Sequence, residues 1–216
     1  MKTKKAPVKP APVTEIWPML SIGQNTKLDK KIAIFNLPSH STCPWRTALC
    51  DKICYAQKAE RMYKAAKAKR IRNLKFSGLH SFVPNMIKEL KESGVTKCRI
   101  HESGDFYNPE YVDKWVDIAT ACPEIKFLAF TKSFLLDFSK MPSNVVIGWS
   151  VDDTTTLNVP KGRFQAYLCA KGNTPPKDYY KCSKVDSKNG HTHYCGSATG
   201  CNWCWEGKGN VVWPQH

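Results

Sequence analysis

The sequence predicts an α/β protein: an incomplete (β/α) barrel of parallel strands with a cysteine-rich, metal- or cluster-stapled C-terminal segment. Three observations predict it. Apolar runs of strand length alternate with helical patterns from residue 30 to residue 168, as parallel βαβ units require. No GxGxxG follows the first strand, which favours a barrel over a dinucleotide-binding sheet. Beyond residue 169 the periodicity stops, and four cysteines fall between 182 and 204.

The elements follow in order. "MKTKKAPVKPAPV" (1–13) is a basic, flexible tail; it has charge but no apolar stretch, so no secretory signal is expected. "KKIAIFNLP" (30–38) is the first strand, closed by Pro38. "AQKAERMYKAAKAKRIRNLKFS" (56–77) has no Gly or Pro and reads as one helix. "SFVPNMIKELKESG" (81–94) is a second helix, stopped by Gly94. "TKCRIHESGDF" (96–106) is a strand entering a Ser-Gly-Asp turn. "NPEYVDKWVDIATACP" (108–123) has an early Pro and apolar residues at 111, 112, 115, 118 and 119, an amphipathic helix. "IKFLAFTKS" (125–133) is a strand, "FLLDFSKM" (134–141) a short helix, and "NVVIGWSVDD" (144–153) and "GRFQAYLCA" (162–170) two further strands. The chain divides into the tail 1–13, a barrel region 14–168 and the cysteine-rich segment 169–216.

At 216 residues and 42% hydrophobic content, the chain has the material for one domain with a real core. No apolar run approaches the ~18 residues of a membrane span. Ten cysteines without an export signal read as metal or cluster ligands in a reducing compartment rather than as disulfides. A cytoplasmic location is expected. The net charge of +15 favours a polyanionic partner, a nucleic acid or nucleotide. Lysines and arginines at 58, 61, 64, 67, 69, 70, 72 and 75 make the 56–77 helix either a solvated face or a phosphate-tracking surface. No Ser/His/Asp set, P-loop or HExxH is present.

"TCPWRTALCDKICYAQ" (42–57) gathers Cys43, Cys50 and Cys54, with six and then three residues between them. Iron in a [4Fe–4S] cluster is held by thiolates, and three of them leave one iron open for a ligand. The same logic separates open catalytic metal sites from closed structural ones. The alternatives are zinc completed by a distant ligand such as His101 or His80, and free thiols. Cys182, Cys195, Cys201 and Cys204 have 12, 5 and 2 residues between them, a strong metal signal. Cys169 stands as a substitute for Cys182 or Cys195, and His191 and His193 are further candidates. Either metal would fold this segment onto the barrel, with Trp203, Trp205 and Trp213 packed around it.

A three-cysteine loop after the first strand, with an aromatic after its last cysteine (Cys54-Tyr55), resembles a radical SAM enzyme. "RIHESGDFYNPEYVDKW", "AFTKS" (129–133) and "GWSVDD" (148–153) follow in the order of that superfamily's cofactor-binding segments. The chain resembles more closely a phage family called gene product eighty-eight, through "NTKLDKKIAIFNLP", the cysteine loop, "RIHESGDF", "YVDKW", "TKS" and a Cys-x-x-Cys-Trp before a final His. The radical SAM resemblance implies a [4Fe–4S] cluster on Cys43, Cys50 and Cys54. It implies S-adenosylmethionine held by Ser103, Gly104 and Asp105, by Thr131 and Lys132, and by Ser150 and Asp152. It implies reductive cleavage of that cofactor to a 5′-deoxyadenosyl radical, with electrons from a donor such as flavodoxin or ferredoxin, and an auxiliary [4Fe–4S] cluster, or zinc, at the C-terminal cysteines. The cysteine spacing is longer than the common one. Ser103 and Asp105 replace a glycine and a glutamate, the aspartate reaching one methylene less far. The expected function is therefore a radical SAM enzyme acting on a nucleotide or nucleic acid. The alternative is a zinc-stapled nucleic-acid-binding protein without redox chemistry.

Overall fold

The structure, a computed structural model, describes residues 18–25, 27–182 and 195–214. The basic tail, His191 and His193 lie outside these residues. The chain opens with β1 (Ser21–Ile22) and β2 (Ile32–Phe35), then runs through α1 (Ala48–Lys52), α2 (Tyr55–Met62), α3 (Lys64–Ser77) and α4 (Phe82–Ser93). Next come β3 (Lys97–Ile100), α5 (Pro109–Ala121), β4 (Lys126–Thr131), β5 (Val145–Asp152), β6 (Gln165–Cys169), β7 (Tyr180–Lys181) and β8 (Val211–Pro214). The strands form one eight-stranded sheet in the order β1-β2-β3-β4-β5-β6-β8-β7. Only β1 runs antiparallel to its neighbour. β1 and β7 stand at opposite edges, and no pairing joins them.

Both faces of the sheet are covered, which is why its central strands read as nearly unbroken apolar runs. Side chains alternate between the faces. Ala33, Phe35, Cys98, Ile100, Phe127, Ala129, Ile147 and Trp149 belong to one cluster with the buried residues of α4 and α5. On α4 these are Phe82, Met86 and Leu90, one per helical turn; on α5 they are Tyr111, Val112, Trp115, Ile118 and Ala119. Gly94 ends α4 at φ 65°, where only glycine is unstrained. Asn108 caps α5, accepting from the Tyr111 N–H at 2.8 Å, with Pro109 at its first position.

The opposite face carries Ile32, Ile34, Leu128, Phe130 and Ala166, and the C-terminal segment covers it with Trp205 and Val211. Read as irregular from sequence, that segment supplies β7 and β8, and β8 is inserted between β6 and β7. Trp203 stacks on Tyr180 at 4.4 Å and Trp213 meets the edge of Phe130 at 4.5 Å.

Two helix expectations are corrected. The 56–77 helix breaks at Tyr63 (φ −120°, ψ 91°) into α2 and α3. In a straight helix Glu60 and Arg70 would stand ~15 Å apart along the axis. The break brings them to 3.0 Å, and Arg70 also donates to the Ala56 carbonyl. Residues 134–141 form turns rather than a helix, with Phe134 and Phe138 both packed on Trp149 (5.5 and 5.7 Å). Asp137 accepts from the Ser139 N–H at 2.8 Å, a local turn that competes with helix.

Candidate functional site at the C-terminal ends of the strands

The three-cysteine loop leaves the C-terminal end of β2 and is fixed at three points. At its start, Ser39 donates from its N–H and its hydroxyl to the two oxygens of Glu60, each at 2.8 Å. In the middle, Thr42 donates to the Pro38 carbonyl at 2.7 Å, and the Thr42 carbonyl accepts from the Asp105 N–H at 3.1 Å. At α1, the Thr47 hydroxyl donates to Asp152 at 2.5 Å, and the Leu49 N–H donates to the Thr154 hydroxyl at 2.9 Å. Thr47 is also the N-cap of α1, accepting from the Cys50 N–H. The six-residue gap between Cys43 and Cys50 therefore has a local cause: it holds a turn and then a helix cap. Cys54 is the N-cap of α2, beside helical N–H groups that favour an anion.

All three thiols are half-buried and none is in a disulfide. Burial pushes Cys43 up to about 12, and the charges of Asp105, Cys50 and Cys54 add to this. Burial also raises the Cys50 thiol; the Lys132 charge opposes this, and the charges of Cys54, Asp152 and Asp105 add to it. The three thiols thus lie within one another's field and beside Asp105, Lys132 and Asp152. Among the described residues no group of three or more His, Cys, Asp or Glu is arranged to hold a metal ion.

The structure places the expected cofactor contacts in a buried polar frame behind this loop. Asp105 accepts from the Thr131 hydroxyl (2.5 Å), the Lys132 N–H (2.9 Å) and its neighbour Phe106 N–H (2.7 Å). The Lys132 ammonium meets Asp152 at 2.8 Å and the Ser150 carbonyl at 3.1 Å. Ser103 donates to the Leu37 carbonyl at 2.8 Å. Gly104 has φ 83°, and a Cβ there would lie 2.5 Å from Leu37 Cβ and 2.6 Å from Thr42 Oγ1, so the turn passes the loop as only glycine can. The side chains of Ser103, Asp105, Thr131 and Lys132 are thus engaged by the protein itself; their visible role is to position the loop.

Asp105 gives the frame a pH signature. Burial pushes its carboxyl up to about 6, against its three hydrogen bonds. Because this lies above the ~3.9 of an unfolded chain, the folded state holds the extra proton between the two values. Stability then falls as pH rises through that window, by roughly 2–3 kcal/mol in total. Urea midpoints measured from ~pH 4 to ~pH 7, a range that spans this window, show the slope in the native chain. Asp105→Asn loses the slope, whatever its absolute stability.

His101, a candidate fourth zinc ligand, is turned into the aromatic core. Its Nε2 pairs with the Tyr111 hydroxyl at 2.8 Å and its ring packs against Phe106 at 5.1 Å. Burial, with Arg99 nearby, depresses it to about 3, so it is neutral. His80 lies on the exposed turn after α3. Sequence reasoning missed four residues that build the site. Asn36 closes β2 and accepts from the N–H groups of Glu102 (2.7 Å) and Ser103 (3.0 Å). Thr47 was legible as a threonine three residues before Cys50, a capping pattern. Glu60 was legible as the lone acid in a basic helix. Arg99 stacks on Phe130 at 4.1 Å.

The C-terminal thiols gather on the other side of the sheet from α4 and α5. Cys182, Cys195 and Cys204 pack against the cluster that contains Trp205. Burial raises Cys195, and it raises Cys204 to about 12; Cys182 and Cys201 act on both, and Arg99 counters. Cys195 is bridged to Leu28, and Lys97 donates to the Gly196 carbonyl (2.6 Å) and to Asn202 (2.7 Å). Cys169 stands apart at the end of β6, its thiol donating to the Asn173 carbonyl at 3.3 Å. The structure therefore groups 182, 195, 201 and 204 and leaves 169 out.

A mostly parallel α/β sheet with a pinned, thiol-bearing loop beyond its strand ends defines the class of protein. The chain belongs to the Gene product 88 family, whose model matches residues 18–167. It is 27% identical over 200 residues to the Gene 88 protein of Mycobacterium phage L5, covering 79% of this chain and 81% of that protein. It is 28% identical over 196 residues to the Gene 88 protein of Mycobacterium phage D29, with the same coverage. No solved structure matches the chain. No helix among the described residues is long and apolar enough to cross a membrane.

Proposed function

We propose that this protein is an iron–sulfur enzyme of the radical SAM type whose substrate is a nucleotide or nucleic acid. The observation that carries the reading is the placement of Cys43, Cys50 and Cys54. They are three half-buried thiols within one another's field, on a loop beyond the C-terminal end of a parallel strand, where α/β folds collect ligands. An all-sulfur donor set of three fits a [4Fe–4S] cluster with one open iron. When bound, that cluster supplies the electron for reductive cleavage of S-adenosylmethionine. The chain's own part is to hold the loop: Glu60 fixes its start, the Gly104 turn its middle, and Asp152 the cap of α1. On this reading the open sheet is a partial barrel, and Cys182, Cys195, Cys201 and Cys204 staple the C-terminal segment with a second cluster.

The nucleotide part of the reading rests on α2 and α3. Lys58, Arg61, Lys64, Lys67 and Lys75 are exposed there, with Tyr55, Met62 and Tyr63 exposed beside them. Cationic side chains around exposed rings suit phosphates and stacked bases. The same surface supports a second reading, a zinc-stapled nucleic-acid-binding protein. Anaerobic purification separates the two. The enzyme is brown, contains iron and acid-labile sulfide, and releases 5′-deoxyadenosine when reduced with S-adenosylmethionine. A colourless protein carrying zinc alone, with no such release, overturns the first reading and leaves the second.

A further inference from the structure

The surface of α2 and α3 is made of two kinds of side chain. From residue 52 to residue 80 the exposed residues include Lys52, Lys58, Arg61, Lys64, Lys67 and Lys75, and no acid. They also include Tyr55, Met62, Tyr63, Ile71 and Leu79, and the rest are Ala65, Ala68, Gly78 and His80. An ordinary solvated face mixes charges of both signs. Here the acid of the stretch, Glu60, is turned inward to Arg70 and Ser39. Among the described residues none of the six exposed cations is in an ion pair. Such a surface suits an anion that also offers apolar faces.

The layout narrows the anion. In α2, Tyr55, Lys58 and Met62 stand at i, i+3 and i+7, one stripe. In α3, Lys64, Lys67, Ile71 and Lys75 make a second stripe, on a different side of the helix from the buried Arg70, Asn73 and Ser77. Tyr63, 60% exposed, stands at the corner where the two helices meet. Cations and apolar side chains thus follow one another along the path. The α3 stripe is ~16 Å long at ~1.5 Å per residue, the length of about five stacked nucleotides at ~3.4 Å each. A free nucleotide carries its phosphates at one end and reaches only part of it. A duplex keeps its bases inside and leaves the exposed rings uncovered. A lipid surface favours helices with cations and apolar groups segregated on opposite faces, unlike these. An unpaired strand offers phosphates and open base faces together.

We infer that the outer surface of α2 and α3 binds a single strand of nucleic acid. Its phosphates lie on Lys58, Lys64, Lys67 and Lys75, and a base stacks on the Tyr63 ring. Because α2 begins at its N-cap, Cys54, the strand runs up to the thiol loop. The proposal rests on the nucleotide part of the reading above and is independent of the cluster. Fluorescence anisotropy of the full chain tests it with a labelled single strand of about twelve nucleotides, the matching duplex and a labelled mononucleotide. The single strand binds at least about tenfold more tightly than either. With about four phosphates engaged, the slope of log affinity on log salt is about −3. Lys64→Ala/Lys67→Ala/Lys75→Ala makes that slope shallower by about 2. Tyr63→Ala weakens binding about tenfold with the slope unchanged, and Tyr63→Phe keeps native affinity. Far-UV circular dichroism checks the variants for native folding. A duplex bound as tightly as the strand overturns the single strand and keeps the nucleic-acid reading. A mononucleotide bound as tightly as the strand overturns it in favour of a free nucleotide. Strand binding that neither the lysine variant nor Tyr63→Ala weakens puts the strand elsewhere and overturns this surface. Binding of anionic lipid vesicles and of no strand, duplex or mononucleotide, or of none of these, overturns the nucleotide reading and the surface with it.

Discussion

On the proposed iron–sulfur reading, Cys50→Ala should abolish reductive cleavage of S-adenosylmethionine and strip the loop of its iron, while metal at the C-terminal cysteines should stay. Cys50 is half-buried in the first turn of a five-residue helix, and its side chain is not part of either apolar cluster. Losing the thiol should cost the fold no more than ~1 kcal/mol, so the effect is chemical rather than structural. Two thiolates are too few to hold a cubane cluster with one open iron. If both cysteine sets carry [4Fe–4S] clusters, iron per chain falls by about half. If the C-terminal set holds zinc, iron falls to near zero and zinc is unchanged. Metal analysis beside the cleavage assay reads all of this. Loss of both metals together would mean that the two thiol groups are one site. Unchanged iron would mean that the loop does not hold it.

The second large effect is on stability. Lys132→Met should destabilise the protein by ~3–5 kcal/mol, because it leaves the Asp152 carboxylate buried without its counter-charge. The Asp152 side chain is fully buried, and that of Lys132 is 8% exposed. Asp152 keeps bonds from Thr47 and from the Thr154 N–H and hydroxyl, but these are dipoles and not a cation. Urea unfolding at neutral pH measures the loss. Burial raises the Asp152 carboxyl, but the Lys132 charge and the bonds from Lys132, Thr47 and Thr154 outweigh it and leave it below the usual carboxylate value. The native chain therefore has this stabilisation above the unfolded pKa and loses it as pH falls through the folded one. The gap between native and variant should narrow in acid, and Lys132→Met/Asp152→Asn should recover part of it at neutral pH. A variant as stable as the native chain would show that the pair holds nothing up. Because Asp152 also grips the cap of α1, the single variant should loosen Cys50 as well.

Much of the sheet was legible because its strands are buried on both faces and bounded by turn residues. "IAIF", "KCRI", "KFLAFT" and "VVIGWSVD" fall where the apolar runs placed them. β1 and β7 were not legible, since two residues give no period. β8 was hidden in a Gly- and Cys-rich stretch, and its strand state depends on pairing with β6 and β7. The break at Tyr63 left no local sign, because it is forced by Glu60 meeting Arg70 across a corner.

The site divides along the same line. Sequence alone determined which residue types would matter: the three clustered thiols, the four C-terminal ones, the Ser-Gly-Asp turn and the basic helix. Those are properties of composition and spacing, which need no partner. Only the tertiary structure decided what each does. It turned Asp105, Thr131, Lys132 and Asp152 inward to hold the loop, set His101 in the aromatic core, and separated Cys169 from the other C-terminal thiols. It also buried Asn73 Oδ1 with no donor among the described residues. The reason is physical: hydrogen bonds and ion pairs join residues far apart in the chain, as they join Thr47 to Asp152 and Asp29 to Cys195, and no local pattern records them.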